Sequence, residues 1–239
     1  MEQRLDVGGV IRRVWAIYVE QASVLMPAAA VVFVVSGIVA ALLAASGSLL
    51  GVLVAEVIVI VAGTLFTAMV VELVSDVEDG RRDFSSGQLL RAAMPMLGQL
   101  IIVGLVAGVG IVIGLFLLIV PGLILITIWS VFVPVIVIER APGLASLARS
   151  RELVRGNGWQ VFGVLLVLFV LMGLLTVLID SAAASAGTGV GIVVRVVLGV
   201  LTAPFSALAA AVLYFDLRRL SGGAQPPVVP VENASPGSL

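Results

Sequence analysis

The chain has 239 residues, 61% of them hydrophobic and 11% charged, and its mean hydropathy is +1.27; a soluble domain is only roughly 45–50% apolar. A net charge of -1, with no segment that sets Arg among aromatics, excludes a nucleic-acid surface. With neither cysteine nor histidine, disulfides, thiolate metal sites and the usual neutral-pH proton carrier are excluded as well. A bilayer is the solvent that suits such a chain, and neither a cofactor nor a metal is expected.

Taken in chain order, Leu5 to Tyr18 sets Val7, Val10, Val14, Trp15 and Tyr18 at near-helical spacing with Arg12 and Arg13 to the side. This predicts an amphipathic helix seated in the membrane interface, with a docking helix for a partner as the alternative. The first apolar run begins near Val24, too late for a cleaved signal peptide, so the first span is expected to remain in the mature protein. About 20 mainly apolar residues cross the hydrocarbon core. Spans are expected near Val24–Leu43, Leu49–Val71, Leu97–Leu118, Trp159–Ile179 and Val190–Tyr214.

Between Ala92 and Ile138 lie 47 residues without a formal charge, a helix of roughly 70 Å if unbroken, more than twice the core thickness. Arginine placement divides it. All 13 basic residues are Arg, and 12 of them fall before the first span, between the second and third, before Trp159, or after the last span. Short cytoplasmic loops collect basic residues. The chain between the loops around residues 81 and 149 therefore crosses an even number of times, with Val120-Pro121-Gly122 as the outer bend and a fourth span over Gly122–Ile138. The fold class that results is an all-α polytopic helical bundle: six spans within residues 1–220, both termini cytoplasmic, in a cell membrane. Three helical hairpins describe it.

The connection through Ser85, Ser86 and Pro95 predicts a short helix leading into the third span, capped by one of the serines. Pro142-Gly143 introduces another, ending near Gly156-Asn157-Gly158, with Leu144, Leu147 and Leu153 turned to acyl chains. Arg149, Arg151 and Arg155 then face the phosphate layer as candidate lipid-headgroup contacts; ordinary positive-inside anchoring is the plainer account. Residues 221–239 are rich in Pro, Gly and Ser and are expected to be disordered. Asn233-Ala-Ser fits the glycosylation pattern but would lie on the cytoplasmic side.

Charges inside spans are expensive and mark candidate sites. Glu56 and Arg195 lie about 10 and 8 Å deep from the outer side. They are candidates for an ion pair that fixes helix packing, with Asp180 as a second partner for Arg195. A cavity open to the outer face, in a small-solute or lipid transporter, is the alternative. Glu72 and Glu139 read as solvated boundary charges. Gly104, Gly108 and Gly110 leave grooves for close helix approach or dimerisation, Pro134 and Pro204 are candidate kinks, and Trp15, Tyr18, Trp159 and Tyr214 form an aromatic belt.

Three segments, GLFLLIVPGLILITIWSVFVPVIVIE, SLARSRELVRGNGWQVFGVLLV and YFDLRR, stand in this order. Together they resemble the glycerophosphoryl diester phosphodiesterase membrane-domain family, over about Leu5 to Leu220. The most specific part is Arg149-Ser150, Leu153, Gly156 and Trp159, closed by Tyr214, Asp216 and Arg218; Ile128 stands where many relatives have a basic residue. The resemblance implies a multi-span domain that is fused in some proteins to a soluble phosphodiesterase barrel. This chain has neither the barrel nor histidine, so it is expected not to be an enzyme. The leading expectation is a scaffold, or a lipid-associated domain of a bacterial inner membrane, with membrane lipids, a protein partner or a second copy of itself as partners.

Overall fold

The computed structural model describes residues 5–80, 86–185 and 188–222, with side chains described for all of these except 86 and 182–196. Among the described residues the secondary structure is helical throughout. It comprises α1 (Val7–Glu20), α2 (Ala22–Ala44), α3 (Leu49–Glu78), α4 (Ser86–Ala93), a 3-10 turn (Met94–Met96), α5 (Leu97–Leu117), α6 (Ile119–Ile128), α7 (Phe132–Glu139), α8 (Ala145–Val154), α9 (Gly158–Ser185) and α10 (Thr188–Leu220). Six segments are long and apolar enough to cross a membrane: α2, α3, Gly87–Leu117, Ile119–Glu139, Gly158–Ser181 and Val197–Leu220. The protein is an all-α polytopic bundle. Its closest pairings are α2 with α3, α5 with α6, and α9 with α10, which are the three expected hairpins.

Local chemistry accounts for the turns. Between α2 and α3, Gly47 takes φ +67°, which costs a glycine little. Ser48 caps α3 by accepting from the amide of Gly51 at 3.0 Å. The bend of the second hairpin comes earlier than Val120-Pro121-Gly122: the extended residue is Leu118 (φ -159°, ψ 136°), and Pro121 and Gly122 lie within the first turn of α6. Proline is at home there because the first amides of a helix need no intrahelical acceptor. Gly122 serves close approach instead of a turn. A Cβ on it would lie 2.4 Å from Leu115 Cγ, and one on Gly114 would lie 3.1 Å from Gly122 Cα.

The expected fourth span is in two pieces. Trp129, Ser130 and Val131 form a turn between α6 and α7, and Pro134 sits in the first turn of α7. Its ring has no N–H for the Ser130 carbonyl and crowds it, so the helix restarts upstream of the proline. Antiparallel register with α5 survives the break. Gly110 faces Trp129 and Gly104 faces Phe132, while Gln99 donates to the Ala141 carbonyl. Of the glycines read as groove formers, 104 and 110 receive aromatic rings, and Gly108 opens onto empty space. Pro204 does not interrupt α10.

Burial is concentrated toward the basic loops. Phe66, Met69 to Val71 and Val74 of α3, Val135 to Val137 of α7 and Leu208, Ala209 and Ala211 to Tyr214 of α10 form the core, whereas Leu49, Leu50, Val52 and Leu53, Phe116 to Val120 and Phe169 to Val170 are exposed, as surfaces covered by lipid would be. α3 and α10 run past their expected ends at Val71 and Tyr214, because Leu73, Val74 and Leu217 pack into this core.

α1 is amphipathic as expected, but its apolar face is already occupied. Val10, Val14 and Ile17 are buried against α10 and α9, and Tyr18 donates to the Leu201 carbonyl at 3.0 Å. The helix is part of the bundle, and this face is not free for a partner. Ser85, the side chain of Ser86 and residues 223–239 lie outside the described residues, and with them the expected cap and tail.

Candidate functional site

Two ionic networks tie the basic ends of the helices together. In the first, Arg13 of α1 bonds both Glu78 of α3 and Asp216 of α10. Arg219 also bonds Glu78 and comes within 3.9 Å of Asp216. In the second, Glu139 at the end of α7 accepts from Arg149 Nε at 2.9 Å and from the Tyr214 hydroxyl at 3.1 Å, and Arg149 reaches Glu152 at 3.3 Å.

These contacts correct several expectations. The Glu139 side chain is only 4% exposed, so it is a buried, doubly bonded carboxylate and not a solvated boundary charge. A carboxylate is stable there only because two donors satisfy it. Glu72 is half-buried. Tyr214 is fully buried and stands in the core, not in the aromatic belt, whereas Trp15 and Trp159 are exposed as the belt requires. Burial opposes the Arg149 charge, but hydrogen bonding and attraction from Glu139 and Glu152 more than offset this and hold its pKa above the ordinary guanidinium value.

α8 is fixed against the broken span by the next residue. The Ser150 hydroxyl is buried and donates to the Ile128 carbonyl at 2.8 Å. That carbonyl needs an outside donor because the amide of Phe132, four residues on, bonds Trp129 instead. Leu147 and Leu153 are buried beside it, so they face the bundle and not acyl chains; Leu144 is exposed as expected.

With Arg149 turned inward, Arg151 of α8 and Arg155, the residue that ends the helix, are left on the outer side, joined by a bond from the Arg155 amide to the Arg151 carbonyl at 3.1 Å. Both are exposed. Among the described residues neither has an ion-pair partner. They line a cavity of about 590 Å³ with Ala148, Glu152 and Gly156. A second cavity of about 570 Å³ shares Ile128, Gly156 and Gly158 with the first and continues along Val120, Ile124 and Phe162. Gly156 takes φ +91°, turning the chain from α8 into α9 without a side chain at the junction. The result is a cleft between α6, α8 and α9, cationic at one end and apolar at the other.

The intramembrane candidates lie away from this cleft. Glu56 is exposed on α3 among exposed apolar residues, and none of five described cavities borders Glu56 or Asp180. Asp180 is exposed at the far end of α9, and the Arg195 side chain lies outside the described residues. No group of three or more acidic side chains able to hold a metal occurs among the described residues.

Sequence reasoning missed the inward roles of Glu139, Ser150 and Tyr214. The signal for Ser150 was its place in the stripe Ser146, Leu147, Ser150, Leu153 and Val154, one face of a helix. Fold and site together define a membrane-spanning helical protein. No family model matches the chain, and no curated protein or solved structure matches it either.

Proposed function

We propose that the chain is a non-enzymatic, lipid-associated scaffold of a bacterial inner membrane, with its basic end and both termini at the cytoplasmic leaflet. It is then of the same kind as the stand-alone members of the glycerophosphoryl diester phosphodiesterase membrane-domain family that its motifs resemble. The observation that carries this reading is the cleft between α6, α8 and α9, where two arginines without acidic partners stand at the mouth of an apolar groove.

Two further features support it. The carboxylate that lines the cleft, Glu152, is already paired with Arg149. General acid–base chemistry needs a group free to exchange a proton with a substrate. The ionic networks join α1, α3 and α10 on one side and α7, α8 and α10 on the other, which makes the basic end a rigid platform.

The test is reconstitution of the full chain into nanodiscs of phosphatidylglycerol or phosphatidylcholine. A higher unfolding temperature in the anionic lipid, with the lipid recovered chemically unchanged, is expected. Hydrolysed lipid, or solute flux in matching liposomes, would overturn the reading.

A further inference from the structure

We infer that the cleft between α6, α8 and α9 is a binding site for one anionic diacyl phospholipid, with its phosphate at Arg151 and Arg155 and an acyl chain in the groove along α6. This inference rests on the lipid-associated reading above and gives it a specific ligand.

The first argument is electrostatic. Arg149 and Arg151 of α8 and Arg155 at its C-cap follow one another, but among them only Arg149 is neutralised, by Glu139 and Glu152. The same contact engages Glu152, the acidic residue among the described lining of the cavity, which stands three residues before Arg155 and would otherwise compete for it. Two guanidinium groups lining one cavity offer several donors to a single phosphate. A zwitterionic headgroup would bring a cation into the same positive field.

Shape supplies the second argument. The cationic cavity does not end at the arginines; it joins the apolar one at Ile128, Gly156 and Gly158. The two glycines present no side chain at this junction, and a Cβ at either would meet nothing within 4 Å. From Ile128 to Val120 the groove follows α6 for about 12 Å at 1.5 Å per residue. Its walls are Leu123, Ile124 and Phe162, and the exposed Trp159 stands beside them. A soluble anion would fill the first cavity and leave the second empty, whereas a phospholipid fills both. Indole rings favour the headgroup level, which places the mouth of the cleft where a phospholipid carries its phosphate.

The test uses the purified full chain and native mass spectrometry to count phosphatidylglycerol and phosphatidylcholine molecules retained after delipidation. R151Q/R155Q removes the cationic end, and Ile124→Trp fills the groove at an exposed position. Arg12→Gln removes an exposed arginine on α1 that pairs with the exposed Asp6, and controls for general surface charge.

Wild type should retain one phosphatidylglycerol in preference to phosphatidylcholine. R151Q/R155Q should bind it roughly thirtyfold more weakly, about fivefold per arginine. Ile124→Trp should weaken it as well, and Arg12→Gln should not. If R151Q/R155Q and Ile124→Trp keep the anionic preference of wild type, the cleft is not the site, and only this inference falls. If wild type shows no anionic preference, the broader reading falls with it. Displacement by glycerol 3-phosphate together with a neutral Ile124→Trp would mean that only a soluble phosphate is bound, and would overturn the assignment to a lipid.

Discussion

Ser150 donates its hydroxyl hydrogen to the carbonyl of Ile128, 22 residues earlier, at 2.8 Å. The bond fastens α8 to the break in the fourth span and sets the rotation of α8 about its axis. That rotation turns Arg149 inward and Arg151 and Arg155 outward.

Ser150→Ala should therefore destabilise the protein by about 1–3 kcal/mol, because it leaves a partly buried carbonyl without a donor. Thermal unfolding in mild detergent measures this. Ser221→Ala, at a hydroxyl that bonds only its own helix, should change little.

Removing Arg149 should cost more. Arg149→Gln leaves Glu139 buried without its cation, for which about 3–5 kcal/mol is typical. Tyr214→Phe should cost about 1 kcal/mol. The two losses should not add, since both residues serve one carboxylate, and a double-mutant cycle reads the coupling. The folded pKa of Arg149 is raised above its ordinary value, so its contribution is fully present below that value and is lost only as pH rises through the folded one. Unfolding temperature should show no step from Arg149 between about pH 7 and 10.

The glycines of the second hairpin should divide sharply. A Cβ at Gly122 would lie 2.7 Å from the backbone nitrogen of Leu115, whereas one at Gly108 would meet nothing within 4 Å. Gly122→Ala should destabilise by about 1–3 kcal/mol through overpacking, and Gly108→Ala should be neutral or slightly stabilising. The same unfolding assay compares them.

Most of the fold is legible in the sequence because hydropathy and length report directly on spans. The six segments overlap the expected ones, and the main departures are the extensions of α3 and α10, a third segment that begins at Gly87 instead of Leu97, a sixth counted from Val197 instead of Val190, and the split of the fourth span. The split went unseen because Pro134 acts on the turn before it, inside an unbroken apolar run. Burial of polar groups was the harder part. Glu139 is bonded to partners 10 and 75 residues away, and no local period reveals such pairing. The arginines of α8 were read as one group because all three carry the same charge. Only the inward stripe of Ser146, Ser150 and Val154 separates Arg149 from the pair four residues apart.

Arg151 and Arg155 meet the cytoplasmic leaflet only if the basic end of the bundle faces the cytoplasm. The direct measurement is labelling of single cysteines in intact and permeabilised cells with a membrane-impermeant maleimide. The cysteine-free chain needs no prior substitution. Ser48→Cys and Ile119→Cys, at exposed positions in the two described turns opposite the basic loops, should label in intact cells. Leu144→Cys, exposed before α8, should label only after permeabilisation. Labelling of Leu144→Cys in intact cells, with Ser48→Cys and Ile119→Cys silent until permeabilisation, would contradict the account.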